Sequence, residues 1–235
     1  MLPAAESDLV AVRSQLDAIA RTNMAFATGV ADLVALRERY PDLLAKLANV
    51  PVIRAYVAAI RLHRGVLGTV EGMPNALYMH HYRQVNYQLD TISLGIAAKL
   101  ESEGFIAVAV AASQIATKKP MTGHISHRLL GQWAGIGWRG RNNLLVSLEA
   151  GSQMRLVSVL TDAPLCPDRV VHRCLCGECT LCRDACPAQA IEETPESFRL
   201  DKCYDKLCEF THIPFVSQHI CGVCQRACGG RQGSA

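Results

Sequence analysis

The stretch "CLCGECTLCRDACPAQAI", Cys174 to Ile191, decides how this chain is read. Within it Cys176, Cys179, Cys182 and Cys186 keep the spacing C-x-x-C-x-x-C-x-x-x-C, and Pro187 closes the run. Three cysteines spaced by two residues wrap one [4Fe–4S] cluster in a tight turn. The fourth, set off by three residues and followed by proline, points away and ligates a different cluster. Cys176, Cys179 and Cys182 therefore form one triplet, and Cys186 demands a second cluster nearby.

The C-terminal cysteines meet that demand. Cys221 and Cys224 form a C-x-x-C pair, and Cys228 is placed to reach back to the first cluster. The missing member lies upstream, at Cys203 or, as the fallback, at Cys208; spacing alone does not decide between them. With Cys203, one cluster takes Cys176, Cys179, Cys182 and Cys228, and the other takes Cys186, Cys203, Cys221 and Cys224. Gly229 stands where a proline would follow Cys228, which removes a rigid turn residue but no ligand. Zinc favours two well-separated C-x-x-C knuckles closing on one ion, a poor fit to a regular run ending in Cys-Pro. Cys166, Cys174 and Cys208 are left over and are expected to be buried free thiols.

Working outward, the 235 residues are enough for one large domain, or one domain with a small appended module. Half of them are apolar, so a substantial core is expected rather than disorder. A net charge of +3 gives no case for bulk attraction to nucleic acid or membrane. All eleven cysteines follow residue 165 and nothing points to secretion, which argues against a disulfide framework. The start "MLPAAESDLVAVRSQLD" shows neither a basic, apolar leader nor a twin-arginine signal. The best apolar run, "FIAVAVAA", is too short to cross a bilayer, so a cytoplasmic protein with no membrane partner is expected.

The first third reads as helical. Leu9, Val12, Leu16 and Ile19 share one face behind Ser7, a suitable N-cap. Further helices are expected over Val30–Arg39, Asp42–Ala48 and Val52–His63. Leu89, Ile92, Ile96 and Leu100 mark another, stopped by Gly104. "FIAVAVAAS" reads as a buried strand. A helix near Ser126–Ala134 leads into the glycine-rich turn "AGIGWRGRNN", and "LLVSL" and "MRLVSVLT" read as the two strands of a hairpin. From Pro164 the composition shifts to cysteine, proline and charge, marking a domain boundary.

The succession "AGIGWRGRNNLLVSLEAGSQMRLVSVLTDAPL", "CGECTLCRDACPAQAI", "FRLDKCYDKL" and "CGVCQRAC" resembles epoxyqueuosine reductase, a relative of the reductive dehalogenases, over roughly residues 75–230. In that family the split second motif begins with the cysteine after a short "LD" segment, which favours Cys203. The resemblance implies an α+β protein, with a nitroreductase-like α/β cobalamin-binding domain over 1–163 and a two-cluster bacterial ferredoxin-like module over 164–235. It implies an oxidoreductase in which a ferredoxin- or flavodoxin-type donor feeds two [4Fe–4S] clusters. These pass electrons to a base-off cobalamin that reduces an organic substrate. The residues themselves say little about cobalamin: there is no D-x-H-x-x-G segment for a lower axial histidine. The "GWRGRNN" turn offers backbone N–H groups and the donors Arg141 and Asn142. Ser126 and Leu156 complete the candidate cofactor contacts.

Two departures from the family stand out. Where it carries a proton-donating aspartate upstream of "AGIGW", a gapless alignment places Met121, which cannot donate a proton. His124 and His127 lie close by and are candidate acids near neutral pH, although a solvent-facing pair at a helix start is the plainer reading. Tyr82, beside His81, is a further candidate catalytic donor, with packing as its plainer role. The chain also ends seven residues after Cys228, without the family's helical-repeat domain. A small molecule or another corrinoid system is therefore the expected substrate ahead of tRNA. The competing expectation is a ferredoxin-type electron carrier that docks to a redox partner.

Overall fold

The computed structural model describes residues 6–47, 49–118 and 121–230. Helix α1 (Glu6–Thr22) leads into strand β1 (Ala27–Asp32), helix α2 (Leu33–Arg39), a 3-10 segment (Pro41–Leu47) and strand β2 (Arg54–Arg61). Helices α3 (Arg64–Gly68) and α4 (Ala76–Ser102) follow, then strand β3 (Ala107–Val110). Next come the short strands β4 (Thr117–Lys118) and β5 (Met121–Thr122) and helix α5 (His127–Trp133). Strands β6 (Trp138–Arg139), β7 (Leu145–Val146) and β8 (Met154–Thr161) precede helices α6 (Leu181–Asp184), α7 (Leu200–Phe210) and α8 (Val223–Ala227).

The chain divides into two compact units, and the division does not fall at residue 164. One unit holds the chain up to Ile60 together with Asn86–Ile136 and Arg155–Val171. The other holds Arg61–Val85, Gly137–Met154 and the chain from His172 onward. The cysteine region is thus built with two segments from far upstream, and α4 passes from one unit to the other after Val85.

The first unit is organised on an antiparallel four-stranded sheet in the order β1-β2-β8-β3. Ala27 pairs with Ala59 through to Asp32 with Arg54 on one side, and Ala107 with Thr161 through to Val110 with Ser158 on the other. The helix expected over Val52–His63 is therefore a strand. "RAYVAAI" is a short apolar run of the kind periodicity cannot classify, and a neighbouring strand on each side settles it. Likewise the helix expected from Val30 begins only at Leu33. Asp32 ends the strand and caps the helix, its Oδ1 accepting the N–H of Val34 at 2.8 Å and of Ala35 at 3.2 Å. The helix expected over Asp42–Ala48 is a 3-10 segment, and Ala48 lies outside the described residues. Ser7 falls inside α1 instead of capping it.

Leu89, Ile92, Ile96 and Leu100 are all fully buried, the face expected of α4. Leu33, Leu36, Val57, Leu130 and Leu160 sit at the heart of the unit's core. Gly29 is required there, because a Cβ on it would lie 2.0 Å from the Ala134 carbonyl oxygen. Helix α1 is tied down by Asp17, which accepts hydrogen bonds from Tyr56 Oη at 2.7 Å, Thr28 Oγ1 at 2.8 Å and Arg13 Nε at 3.2 Å.

In the second unit β6 and β7 form a small antiparallel hairpin, Trp138 opposite Val146 and Arg139 opposite Leu145. The expected pairing of "LLVSL" with "MRLVSVLT" does not occur: β7 pairs with β6, and β8 lies between β2 and β3. Gly137 makes the closer approach feasible, since a Cβ there would meet the Val146 carbonyl oxygen at 2.1 Å. Among the described residues no helix is long and apolar enough to cross a membrane.

Candidate metal centre

The cysteines of the second unit sit on short helices and the turns between them. Cys179 donates its N–H to the Cys176 carbonyl at 3.2 Å, closing a turn whose Gly177 has a φ of +54°. Cys182 lies in α6, Cys203 in α7 and Cys224 in α8, while Cys228 caps the end of α8. Cys221 and Cys224 flank Gly222, whose φ is +82° and whose missing side chain leaves room for the Tyr78 ring. Tyr78 Oη donates to Gln225 Oε1 at 2.9 Å, and Gln225 Nε2 donates to the Ser152 and Met154 carbonyls. The C-terminal turn is thereby fastened to the segment before β8.

Electrostatics link these thiols in two overlapping sets, and Cys174, raised mainly by burial, is also tied to Cys176. Burial pushes the Cys182 thiol up to about 11, and Cys228, Cys176 and Cys179 push it further in the same direction. Burial also raises Cys228, with Cys176 and Cys179 adding to it against the lowering effect of hydrogen bonds from Ser152. In the other group burial pushes Cys221 up to about 11, reinforced by Cys203 and Cys186. Cys203 is raised by burial and by Cys186, and Cys224 by burial and by Cys221, Cys182, Cys203 and Cys186. Cys224 and Cys182 therefore connect the groups.

Such thiols resist ionising alone, and a cationic iron–sulfur core would supply the positive charge their thiolates need. Among the described residues no three His, Cys, Asp or Glu side chains converge tightly enough for a single metal ion. A cubane spreads its thiolates over four separate iron corners, whereas zinc draws its ligands to within about 2.3 Å of one point. The donor set has the chemistry of iron–sulfur ligation.

The chain is similar to epoxyqueuosine reductases and reductive dehalogenases. It is 44% identical over 63 residues to an epoxyqueuosine reductase of Cyclobacterium marinum, a match covering 26% of this chain and 20% of that protein. It is 37% identical over 94 residues to the tetrachloroethene reductive dehalogenase of Desulfitobacterium hafniense, covering 38% of this chain and 17% of that one. The matched stretches thus span about a fifth of each relative's length. An epoxyqueuosine reductase solved with an epoxyqueuosine-modified tRNA-Tyr stem loop has the same mixed α/β fold. It superposes with a TM-score of 0.60 at 20% identity, over 94% of this chain and 65% of that one. No family model matches the chain.

The side chains that the sequence singled out as epoxyqueuosine-reductase-like cofactor contacts are engaged within the fold. Arg141 Nε donates to the Glu193 carbonyl at 2.7 Å, and its two terminal nitrogens donate to the carbonyls of Cys179 and Gly177. Asn142 is buried, donating to Ser152 Oγ at 3.0 Å and accepting from the Leu144 N–H at 3.2 Å, so it holds the hairpin turn. Ser126 caps α5, its Oγ accepting from the Leu129 N–H at 3.3 Å. Leu156 is half-buried against the core of the first unit. A planar guanidinium surrounded by loop carbonyls and an amide facing its own turn find partners at home.

The candidate acids differ in the same way. His127 Nε2 lies 2.9 Å from the Ala111 carbonyl and so carries the proton, leaving Nδ1 to accept from Ser158 Oγ at 2.9 Å. Burial is the main cause that lowers its pKa, with Arg155 lowering it further. A ring with both nitrogens engaged and its pKa lowered by burial is less suited to donate a proton near neutral pH. His124 is exposed, its Nδ1 donating to Gln114 Oε1 at 2.7 Å. Both belong to the first unit. Tyr82, half-buried, belongs to the second, next to His81, whose Nε2 accepts the His63 N–H at 3.0 Å. The backbone of Met121 lies in β5, and its side chain is outside what the structure describes.

Among the leftover cysteines, Cys166 and Cys174 are exposed and Cys208 is half-buried, so the expectation of buried thiols fails. Sequence reasoning missed Trp138, whose indole Nε1 donates to Cys176 Sγ at 3.5 Å, and Gly151, on which the Cys228 backbone rests. A tryptophan inside a glycine-rich turn was the available signal.

Proposed function

We propose that the chain is an iron–sulfur oxidoreductase in which two [4Fe–4S] clusters relay electrons to a corrinoid that reduces an organic substrate. The observation that supports the reading is the gathering of thiols in one unit, Cys182 beside Cys176, Cys179 and Cys228, and Cys221 beside Cys203 and Cys186. On this reading Cys176, Cys179, Cys182 and Cys228 hold one cluster and Cys186, Cys203, Cys221 and Cys224 the other. Adjacent clusters of this kind pass single electrons.

The corrinoid, bound without its lower base, supplies the low-potential cobalt chemistry, and similarity to the two reductase families supports it. Arg141 and Asn142 already have partners inside the fold, so the corrinoid would meet them only beside those bonds. His124 is the exposed acid that remains for proton delivery, with Tyr82 as a second donor. The substrate is a small molecule, another corrinoid or, as for the relative solved with a stem loop, a tRNA. Electrons come from a ferredoxin- or flavodoxin-type donor in a reducing, cytoplasmic setting.

The experiment is an anaerobic titration of the cluster-loaded protein with cob(II)alamin, followed by absorbance and EPR. Conversion of the bound cobalt to a base-off signal is expected. The engagement of Arg141 and Asn142 within the fold favours a second reading, an electron carrier without its own corrinoid, and full clusters with no cobalamin response would establish that reading instead.

A further inference from the structure

We propose that the β6–β7 hairpin is a clamp that sets the reduction potential of the cluster held by Cys176, Cys179, Cys182 and Cys228. This rests on the reading that this quartet binds a cluster. The hairpin carries the glycine-rich turn whose sequence pointed to a cofactor pocket, and three of its side chains are turned to the cysteine segment. Trp138 Nε1 donates to Cys176 Sγ at 3.5 Å, a bond made directly to a candidate ligand atom. Arg141 places its guanidinium on the Gly177 and Cys179 carbonyls, inside the loop that spaces the first two ligands, and on the Glu193 carbonyl beyond it. Arg139 donates to the Pro195 carbonyl at 2.7 Å, which fixes the far end of the same segment. Gly140, between the two arginines, leaves no space for a side chain, since a Cβ would meet Val146 Cγ2 at 2.5 Å.

The physical consequence follows from charge. Reduction adds one electron to the cluster, taken from the donor, with no bond formed or broken. The reduced state therefore carries one more negative charge than the oxidised state. A cation beside the loop and an N–H aimed at a ligand sulfur stabilise that extra charge more than the state before it. Arg141 and Trp138 thus hold the potential of this cluster above the value its thiolates alone would give, and they act as positioning residues for Cys176 and Cys179.

The test is an EPR-monitored potentiometric titration of Arg141→Gln, Arg141→Lys and Trp138→Phe, with iron measured on each. In Arg141→Gln one of the two clusters is expected to become harder to reduce, by about tenfold in its reduced-to-oxidised ratio at fixed potential, or about 59 mV for a one-electron couple. The other cluster should keep its potential. Arg141→Lys, which keeps the charge but not the fork, should recover most of the shift. Trp138→Phe should shift the same cluster in the same direction. If Arg141→Gln fails to load, loss confined to the cluster that Cys179→Ala also removes supports the clamp. Full iron with both potentials unchanged in Arg141→Gln and Trp138→Phe would overturn it, as would loss of both clusters together. A wild-type chain that binds no cluster would instead defeat the reading underneath.

Discussion

The carbonyl oxygen of Cys228 fills the space that a side chain on residue 151 would need: a Cβ on Gly151 would sit 2.0 Å from it, on a backbone with a φ of +56°. The same carbonyl accepts the Ser152 N–H at 3.0 Å. Gly151 therefore lets the last cysteine of the chain return to the first three. Gly151→Ala is expected to unseat Cys228 and lower iron from about eight toward about four atoms per chain, with the other cluster intact by EPR.

The choice between Cys203 and Cys208 is open to direct measurement. Cys203 is raised by Cys186, whereas Cys208 lies a turn further along α7, against Tyr204. Cys203→Ala should halve the iron content to about four, and Cys208→Ala should leave it near eight. Equal losses in both variants would break the assignment.

Asp17 anchors α1 by accepting from Tyr56, Thr28 and Arg13 at once. Burial raises the Tyr56 pKa far above its usual range, so this phenol stays a donor, and it has lost its water contacts. Asp17→Ala should therefore cost about 2–3 kcal/mol, read from urea unfolding followed by circular dichroism. A loss below about 0.5 kcal/mol would mean that packing alone holds the helix.

His127 and His81 give the fold a pH dependence of known sign. Burial lowers the pKa of both below the ordinary 6.5, and His63 lowers that of His81 further. Below pH 6.5 the unfolded chain takes up protons that the native rings refuse. Stability therefore falls as pH drops through that value, and the loss levels off below the native pKa values. Each histidine contributes a slope of up to about 1.4 kcal/mol per pH unit in that window. His127→Gln should flatten the slope in chemical denaturation at pH 7 and pH 5.5, and an unchanged slope would show that His127 titrates in the fold as it does in the unfolded chain.

How much of this was legible in the sequence differs by element. The cysteine run yields a sharp expectation because cluster ligation is local: two and three intervening residues dictate which thiols share a turn. Helix α4 was readable because Leu89, Ile92, Ile96 and Leu100 carry their own period. Strand β2 was not, because its apolar residues suit a helix or a central strand and only the partners β1 and β8 decide. The partner of β7 was hidden for a similar reason, the close approach at Gly137 being invisible in a run of glycines. Arg141 and Asn142 were read as donors, but their partners within the fold were not visible. The Gly177, Cys179 and Glu193 carbonyls that Arg141 meets lie 36, 38 and 52 residues downstream.

The most direct test of the central claim is iron and acid-labile sulfide per chain, with Mössbauer spectra, on anaerobically reconstituted protein. Two quartets predict about eight iron and about eight sulfide, all in [4Fe–4S] environments. About four iron, or tightly held zinc in their place, would contradict the account.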